Sequence, residues 1–451
     1  MFQFKNVNFL PNNRSSILQT DSNLDESLNK VQFKSLQIQF HKIAQMQEYF
    51  QIPTIITEIR KYIKFDNKND IDFLFLEDIY QILIQTKLEP FITQISDLIT
   101  HLILMNNEIG YFFISKGIIL FFTSLISINI KFINSFFPLI RVLIHLEKQI
   151  CDDILKAIPA HAFKLGFQNP ALMIESGLFF NNISKYEQSV KVQKWIFESL
   201  KMLFNLKYFN SFVYLAKCLY RLSKKTNFDI ISFEQANLMQ FIIYLLEKPQ
   251  LGCVMLVYNF FSKLFDKNQI QKIPEEMTKY VFKYSVNFEK PQRCIASINL
   301  LRKMIKFGFF RVNQINKVKI MKIYLQILTK EEISFPIKEA ISYIITESFI
   351  YDKYTDNEVD EMITSGLLNV FEFSFVLLND NLLNSLYQVL HILFNTYEKN
   401  NHQQKFIDEI KKSSILDIIQ HEYLSNESIL QFYAFFSSIG GLELDLLKSR
   451  K

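Results

Sequence analysis

The sequence predicts an all-α chain wound into a solenoid of stacked helical units. Three observations carry that prediction. From about residue 50, helix-length apolar segments follow one another, as in "VQKWIFESLKMLFNL", "GCVMLVYNFFSKLF" and "LLNSLYQVLHILFNTY", with apolar residues recurring at three- and four-residue steps. Only 9 Gly and 10 Pro occur in 451 residues, too few for the tight turns of a sheet protein. A glycine set between a polar-ended apolar turn and a fresh apolar run recurs at Gly117, Gly177 and Gly366.

Residues 1–20 are polar, carry "PNNRSS" and are expected to be flexible. One helix follows, capped by Asp21 or Ser22, whose short side chains accept from first-turn amides. Residues 1–45 are therefore assigned to an N-terminal segment with a single helix. Its basic residues Lys5, Arg14, Lys30, Lys34 and Lys42 do not cluster. No apolar stretch of signal-peptide length occurs at the start, which points to the cytosol or nucleus. Four scattered cysteines, Cys151, Cys218, Cys253 and Cys294, fit buried thiols in a reducing compartment rather than a disulfide frame.

Residues 46–435 form the expected solenoid, and 436–451 a tail. The mean hydropathy of +0.08 calls for a check on membrane spans. The strongest candidate, "GIILFFTSLISINIKFINSFFPLI", is broken by Gly117, by the polar "SINIK" and by Pro138 into two shorter helices, so no span is expected. Each of the three glycines is read as ending a short helix, because glycine takes the left-handed conformation without a side-chain clash. Two more helices complete each unit. Gly117 and Gly366 lie 249 residues apart, near six units of about 42, a period of the armadillo/HEAT kind. Gly177 falls half a unit out of phase, which predicts an insertion at 150–172. About nine or ten such units would wind right-handed, with their third helices lining an elongated concave groove.

These units resemble armadillo repeats, and their order resembles the importin-alpha family. "CDDILKAIPAHAFKLGF" followed by "QKWIFESLKMLFNL" resembles a repeat with a Trp-bearing third helix. "IKEAISYIITES", "VDEMITSGLLNVFEFSFVLLNDNLLNSLYQVLHILFNTYEK" and "SSILDIIQHEYLSNESILQFYAFF" resemble later repeats. The resemblance implies a non-catalytic adaptor in nuclear protein import, working with import and export receptors of the karyopherin-beta type. In that family Trp and Asn four residues apart on successive third helices form the cargo groove. Asn amides hydrogen-bond an extended backbone, and Trp faces flank lysine stems. Carried over, the pairs are Phe137 and Arg141, Trp195 and Ser199, Met255 and Asn259, Ser342 and Thr346, and Tyr387 and His391. Most depart from the pattern, and Trp195 is the only Trp in the chain. Arg141 would oppose a basic peptide. His391 has no His, Cys or carboxylate at ligand spacing, so no metal site is expected.

Charge suggests a second reading. Net charge is +5, yet no Asp or Glu occurs from Lys290 to Lys330. That block holds Arg302, Lys303, Lys306, Arg311, Lys317, Lys319 and Lys322 among its cations. It would suit an acidic protein partner of a scaffold unrelated to transport. Nucleic acid is disfavoured, since Phe309, Phe310 and Tyr324 read as core rather than stacking rings. No phosphate-binding loop, HExxH, GxSxG or kinase signature occurs, so neither catalysis nor a cofactor is expected. "DNEVDEMITSGLL" has calcium-loop-like acids but lacks the glycine such a loop needs.

Overall fold

The computed structural model describes residues 22–63, 71–86, 88–270, 273–309, 317–352, 354–399, 402–422 and 427–439. Among these it contains 25 α-helices, five short 3-10 turns and no strand. The chain divides into two compact units, 1–186 with 206–214, and 187–205 with 215–451.

The first unit contains α1 (Ser22–Met46), α2 (Ile52–Tyr62), α3 (Phe73–Gln85), α4 (Glu89–Met105), α5 (Asn107–Ser115), α6 (Ile118–Ile128), α7 (Ile133–Leu146), α8 (Lys148–Ala157), α9 (Ala160–Gln168) and α10 (Met173–Ile183). Helices α2, α4, α7 and α10 pack each on the next as a ladder, and the remaining helices connect its rungs. Cross-rung ties recur at a steady sequence offset: Arg60 to Asp97 at 3.0 Å, Thr93 Oγ1 to Ser135 Oγ at 2.8 Å, and Asn182 Nδ2 to the Arg141 carbonyl at 3.0 Å. Apolar faces hold the rungs together. Phe137, Phe163, Phe167, Phe179 and Phe180 form one buried ring cluster under α7 and α10.

The second unit contains α11 (Val190–Asn205), α12 (Phe212–Ser223, from Leu215 on), α13 (Ile230–Gln235), α14 (Met239–Glu247), α15 (Val254–Asp266), α16 (Glu275–Ser285), α17 (Pro291–Lys306), α18 (Lys317–Leu328) and α19 (Phe335–Tyr351). It continues with α20 (Asp356–Thr364), α21 (Leu368–Leu377), α22 (Asp380–Lys399), α23 (Gln403–Lys412), α24 (Ile415–Glu422) and α25 (Glu427–Ser438). Its ladder runs α15, α17, α19, α22, α25. Helix α12 stands beside α15: Ala216 and Leu219 face Leu256, Val257 and Phe260, and Lys267 Nζ donates to the Ser223 carbonyl at 2.6 Å. In each unit, rungs meet their sequence neighbours, the contact pattern of an all-α solenoid.

Two of the three glycines do what the sequence suggests. Gly117 (φ +88°) and Gly366 (φ +96°) are left-handed joints that divide the first two helices of a unit. Their amides bond back to Ile114 O and Ile363 O. Gly177 is different. It lies inside α10, where a Cβ would stand 3.0 Å from Ser211 Cβ and 3.1 Å from Ser211 O. It is a close-approach glycine rather than a joint, so the inferred phase slip disappears. The segment 150–172 is no insertion: α8 and α9 are the ordinary first helices of the unit that α10 completes.

Other boundaries shift as well. Helix α1 packs on α2 and α3 with Phe33 and Phe40 fully buried, so the helical array begins near residue 22 rather than 46. At the other end α25 and the buried Ile439 carry it past 435. Residues 1–21 and 440–451 lie outside the described residues. Among the described residues no single helix is long and apolar enough to cross a membrane, and α5 and α6 meet at 67°. The break in 117–140 falls at Asn129, whose side chain accepts from the Lys131 amide. Pro138 does not break the chain but sits within α7. The calcium-like stretch begins α20, where Thr355 and Glu358 form a reciprocal capping box.

A polar face on the ladder helices

The ten groove candidates do not form one row. Phe137 is fully buried in the ring cluster, while Arg141 on the same helix points outward. Its Nε donates to Glu175 on α10 at 2.5 Å, so its charge is already matched. Trp195 and Ser199 lie on α11, a connecting helix and not a rung. Trp195 is half-buried, and Ser199 is buried with its hydroxyl bonded to the Trp195 carbonyl at 2.8 Å. Ser342 and Thr346 are buried on α19, their hydroxyls returned to Lys338 O and Tyr343 O. One residue further along α19, Tyr343 and Glu347 face outward instead.

Met255 and Asn259 do face outward, half-buried on α15. Tyr387 and His391 touch at 4.6 Å between ring centroids on α22 and pack edge-on against Phe435 of α25. They belong to an inter-helix ring cluster. Among the described residues no three His, Cys, Asp or Glu side chains converge as a metal site.

What the second unit does bring together is a polar face across α15, α17 and α19. Lys303 Nζ donates to Ser262 Oγ at 2.7 Å and to the Asp266 carboxylate. Burial would raise the Asp266 pKa, but the hydrogen bonds and charges of Lys303 and Lys263 outweigh it and hold the carboxyl below its ordinary value. Arg302 makes a two-pronged bond to Glu347, Nη2 to Oε1 at 2.7 Å and Nε to Oε2 at 2.9 Å. Its guanidinium lies 4.2 Å from the Tyr343 ring centroid. The Tyr343 hydroxyl donates to Asn379 Oδ1 at 3.0 Å, and Asn379 Nδ2 donates to Glu339 at 2.9 Å. Burial pushes the Tyr343 phenol up, keeping it neutral and a donor.

The carboxylate-free block thus acquires carboxylates on folding. Arg302 takes Glu347, Lys303 takes Asp266, and Lys322 takes Glu361 of α20. Lys306 is exposed on α17, 6.0 Å from the Tyr351 ring. Lys319 is exposed on α18. Arg311 and the Lys317 side chain lie outside the described residues. Phe309 stacks edge-on against Phe265 and Tyr324 is fully buried, as core residues do, while Phe310 lies outside the described residues.

Sequence reasoning missed Asn299, Tyr343 and Glu347. The signal was available: each falls on the exposed arc when its helix is read at 100° per residue. The resemblance drew attention one residue away on α19.

No protein-family model matches the chain, and no curated protein matches it. Among solved structures it is similar to a crystal structure of an engineered protein from the Northeast Structural Genomics Consortium, with a TM-score of 0.57 at 11% identity. That match covers 92% of this chain and 95% of the engineered one. At such identity the likeness concerns the fold alone.

Proposed function

We propose that the chain is a non-catalytic, protein-binding adaptor that holds an extended segment across the outward face of α15, α17 and α19. The supporting observation is the row of half-exposed polar side chains on adjacent rungs, Asn259 on α15, Asn299 and Arg302 on α17, and Tyr343 on α19. Side-chain amides that both donate and accept suit a peptide main chain, and successive helices repeat them at the spacing of a stacked array. Counting one repeat per rung gives ten armadillo-type repeats, wound right-handed in this reading.

The resemblance to importin-alpha extends the proposal to carriage of cargo in nuclear import, between an import and an export receptor, in cytosol and nucleus. With Trp195 on α11, that extension lacks its stacking residue. The general adaptor reading does not depend on it.

The test is selection from a random peptide library on the immobilised full chain, followed by solution binding of the enriched peptides. Saturable binding that falls about tenfold when Asn259→Ala and Asn299→Ala are combined supports the reading. A folded protein that enriches nothing, or binders indifferent to both substitutions, overturns it.

A further inference from the structure

The charge of the bound segment follows from the adjacent helices α12, α15 and α17. Each has one solvent-facing arc. On α12 that arc holds Lys217, Arg221 and Lys224. On α15 it adds Lys263, and on α17 Arg302, Lys303 and Lys306. All three helices together contain one carboxylate, Asp266. The α19 rung contributes Glu347 against Arg302. Two carboxylates therefore stand against seven cations on one continuous face. The helices are adjacent and parallel: Lys267 at the end of α15 caps the last carbonyls of α12, and Lys303 near the end of α17 reaches Ser262 and Asp266 near the end of α15. The arcs consequently open to the same side, and their charges sum rather than cancel.

We infer that this face takes an acidic extended segment of a partner protein, rich in Asp and Glu, which deepens the adaptor reading above and rests on it. The sequence of 290–330 alone suggested cations. The fold replaces part of that block with α12 and α15, and moves the positive centre onto the rungs. Carboxylates of the segment would meet Lys217, Arg221 and Lys306, while its main chain would meet Asn259 and Asn299. Nucleic acid fits less well. Its bases want open aromatic faces, but Lys224 already sits 4.3 Å from the Tyr220 ring centroid, and Arg302 covers Tyr343. Asp266 and Glu347 would also oppose a phosphate chain.

The experiment measures fluorescence anisotropy of the full chain with a short labelled Asp/Glu peptide, its Asn/Gln counterpart, a Lys peptide and single-stranded oligothymidylate of equal length. The expected result is at least about tenfold preference for the acidic peptide over the amide one, shrinking as salt rises. The combined variant Lys217→Glu, Arg221→Glu and Lys224→Glu should lose about tenfold in affinity. The charge-matched variant Lys191→Glu, Lys194→Glu and Lys201→Glu, on exposed positions of α11, should lose less than about twofold. Equal affinity for acidic and amide peptides overturns the inference, as does tighter binding of the Lys peptide or the oligonucleotide, or equal loss in both variants. The peptide series reads the unsubstituted protein, so a variant that fails to fold leaves the test intact. Neutral or basic library binders that depend on Asn259 and Asn299 overturn the charge assignment and leave the adaptor reading standing. An empty library selection overturns both.

Discussion

The two ladder faces are built alike and charged differently. On the first, cations and carboxylates match one for one: Arg60 with Asp97, Arg141 with Glu175. On the second, α12, α15 and α17 gather seven cations around Asp266 and Glu347. The difference teaches where stability and binding are separable. A matched half-buried pair ties two rungs and leaves little field outside. An unmatched excess on exposed arcs ties nothing and projects a field into solvent.

The largest expected effect lies beneath the first face. Phe179→Ala empties the centre of the five-ring cluster and should cost about 3–5 kcal/mol, read as a lowered denaturant midpoint; a cost below about 1 kcal/mol would show that the cluster repacks freely. Next comes Arg141→Met, which strands the half-buried Glu175 carboxylate. A loss of about 1–3 kcal/mol is expected, and no change would mean the pair is merely superficial. On the second face Glu347→Gln should cost only about 1 kcal/mol while strengthening acidic-peptide binding about threefold, because Arg302 loses its internal partner. Weaker binding after that change would reverse the comparison.

Smaller still is the response to pH. Asp266 and Asp360 have folded pKa values below their ordinary ones, the first through Lys263 and Lys303, the second through Lys405 and Tyr397, in each case against burial. Depressed carboxyls contribute stability that is present above the unfolded value, about 3.9, and is lost as pH falls through the folded values. Urea midpoints should therefore hold from pH 7 to 5 and decline below about pH 4, and Asp266→Asn should flatten the decline. Last, Cys151, Cys253 and Cys294 are buried thiols pushed up to about 12. None should react with a thiol reagent at neutral pH in the folded chain, whereas all should react in denaturant.

Much of the fold was legible because helical periodicity and scarce turn residues are local properties. Gly117 and Gly366 were read correctly, since a polar turn before a new apolar run marks a left-handed joint. Gly177 has the same neighbours in sequence but serves a close approach to Ser211, some 34 residues away, which no local pattern contains. That single misreading moved the register by half a unit and carried Trp195 onto the groove. Likewise the block at 290–330 looked uncompensated because Asp266, Glu347 and Glu361 lie outside it in sequence. Of the candidate site, Met255, Asn259 and Arg302 were legible from helix-face spacing. Tyr343 and Glu347 were not, because the family pattern set the register one residue off.

The steady offset between rungs bears on how the chain acquires its shape. Cross-rung ties join residues about 40 apart in a chain of 451, under a tenth of its length, the range in which two-state domains fold fast. No rung waits for a distant strand to arrive. As the polypeptide leaves the ribosome, each newly synthesised stretch of some forty residues finds its docking surface already made. The nascent end is therefore the one surface on which an incomplete chain exposes a full apolar helix face.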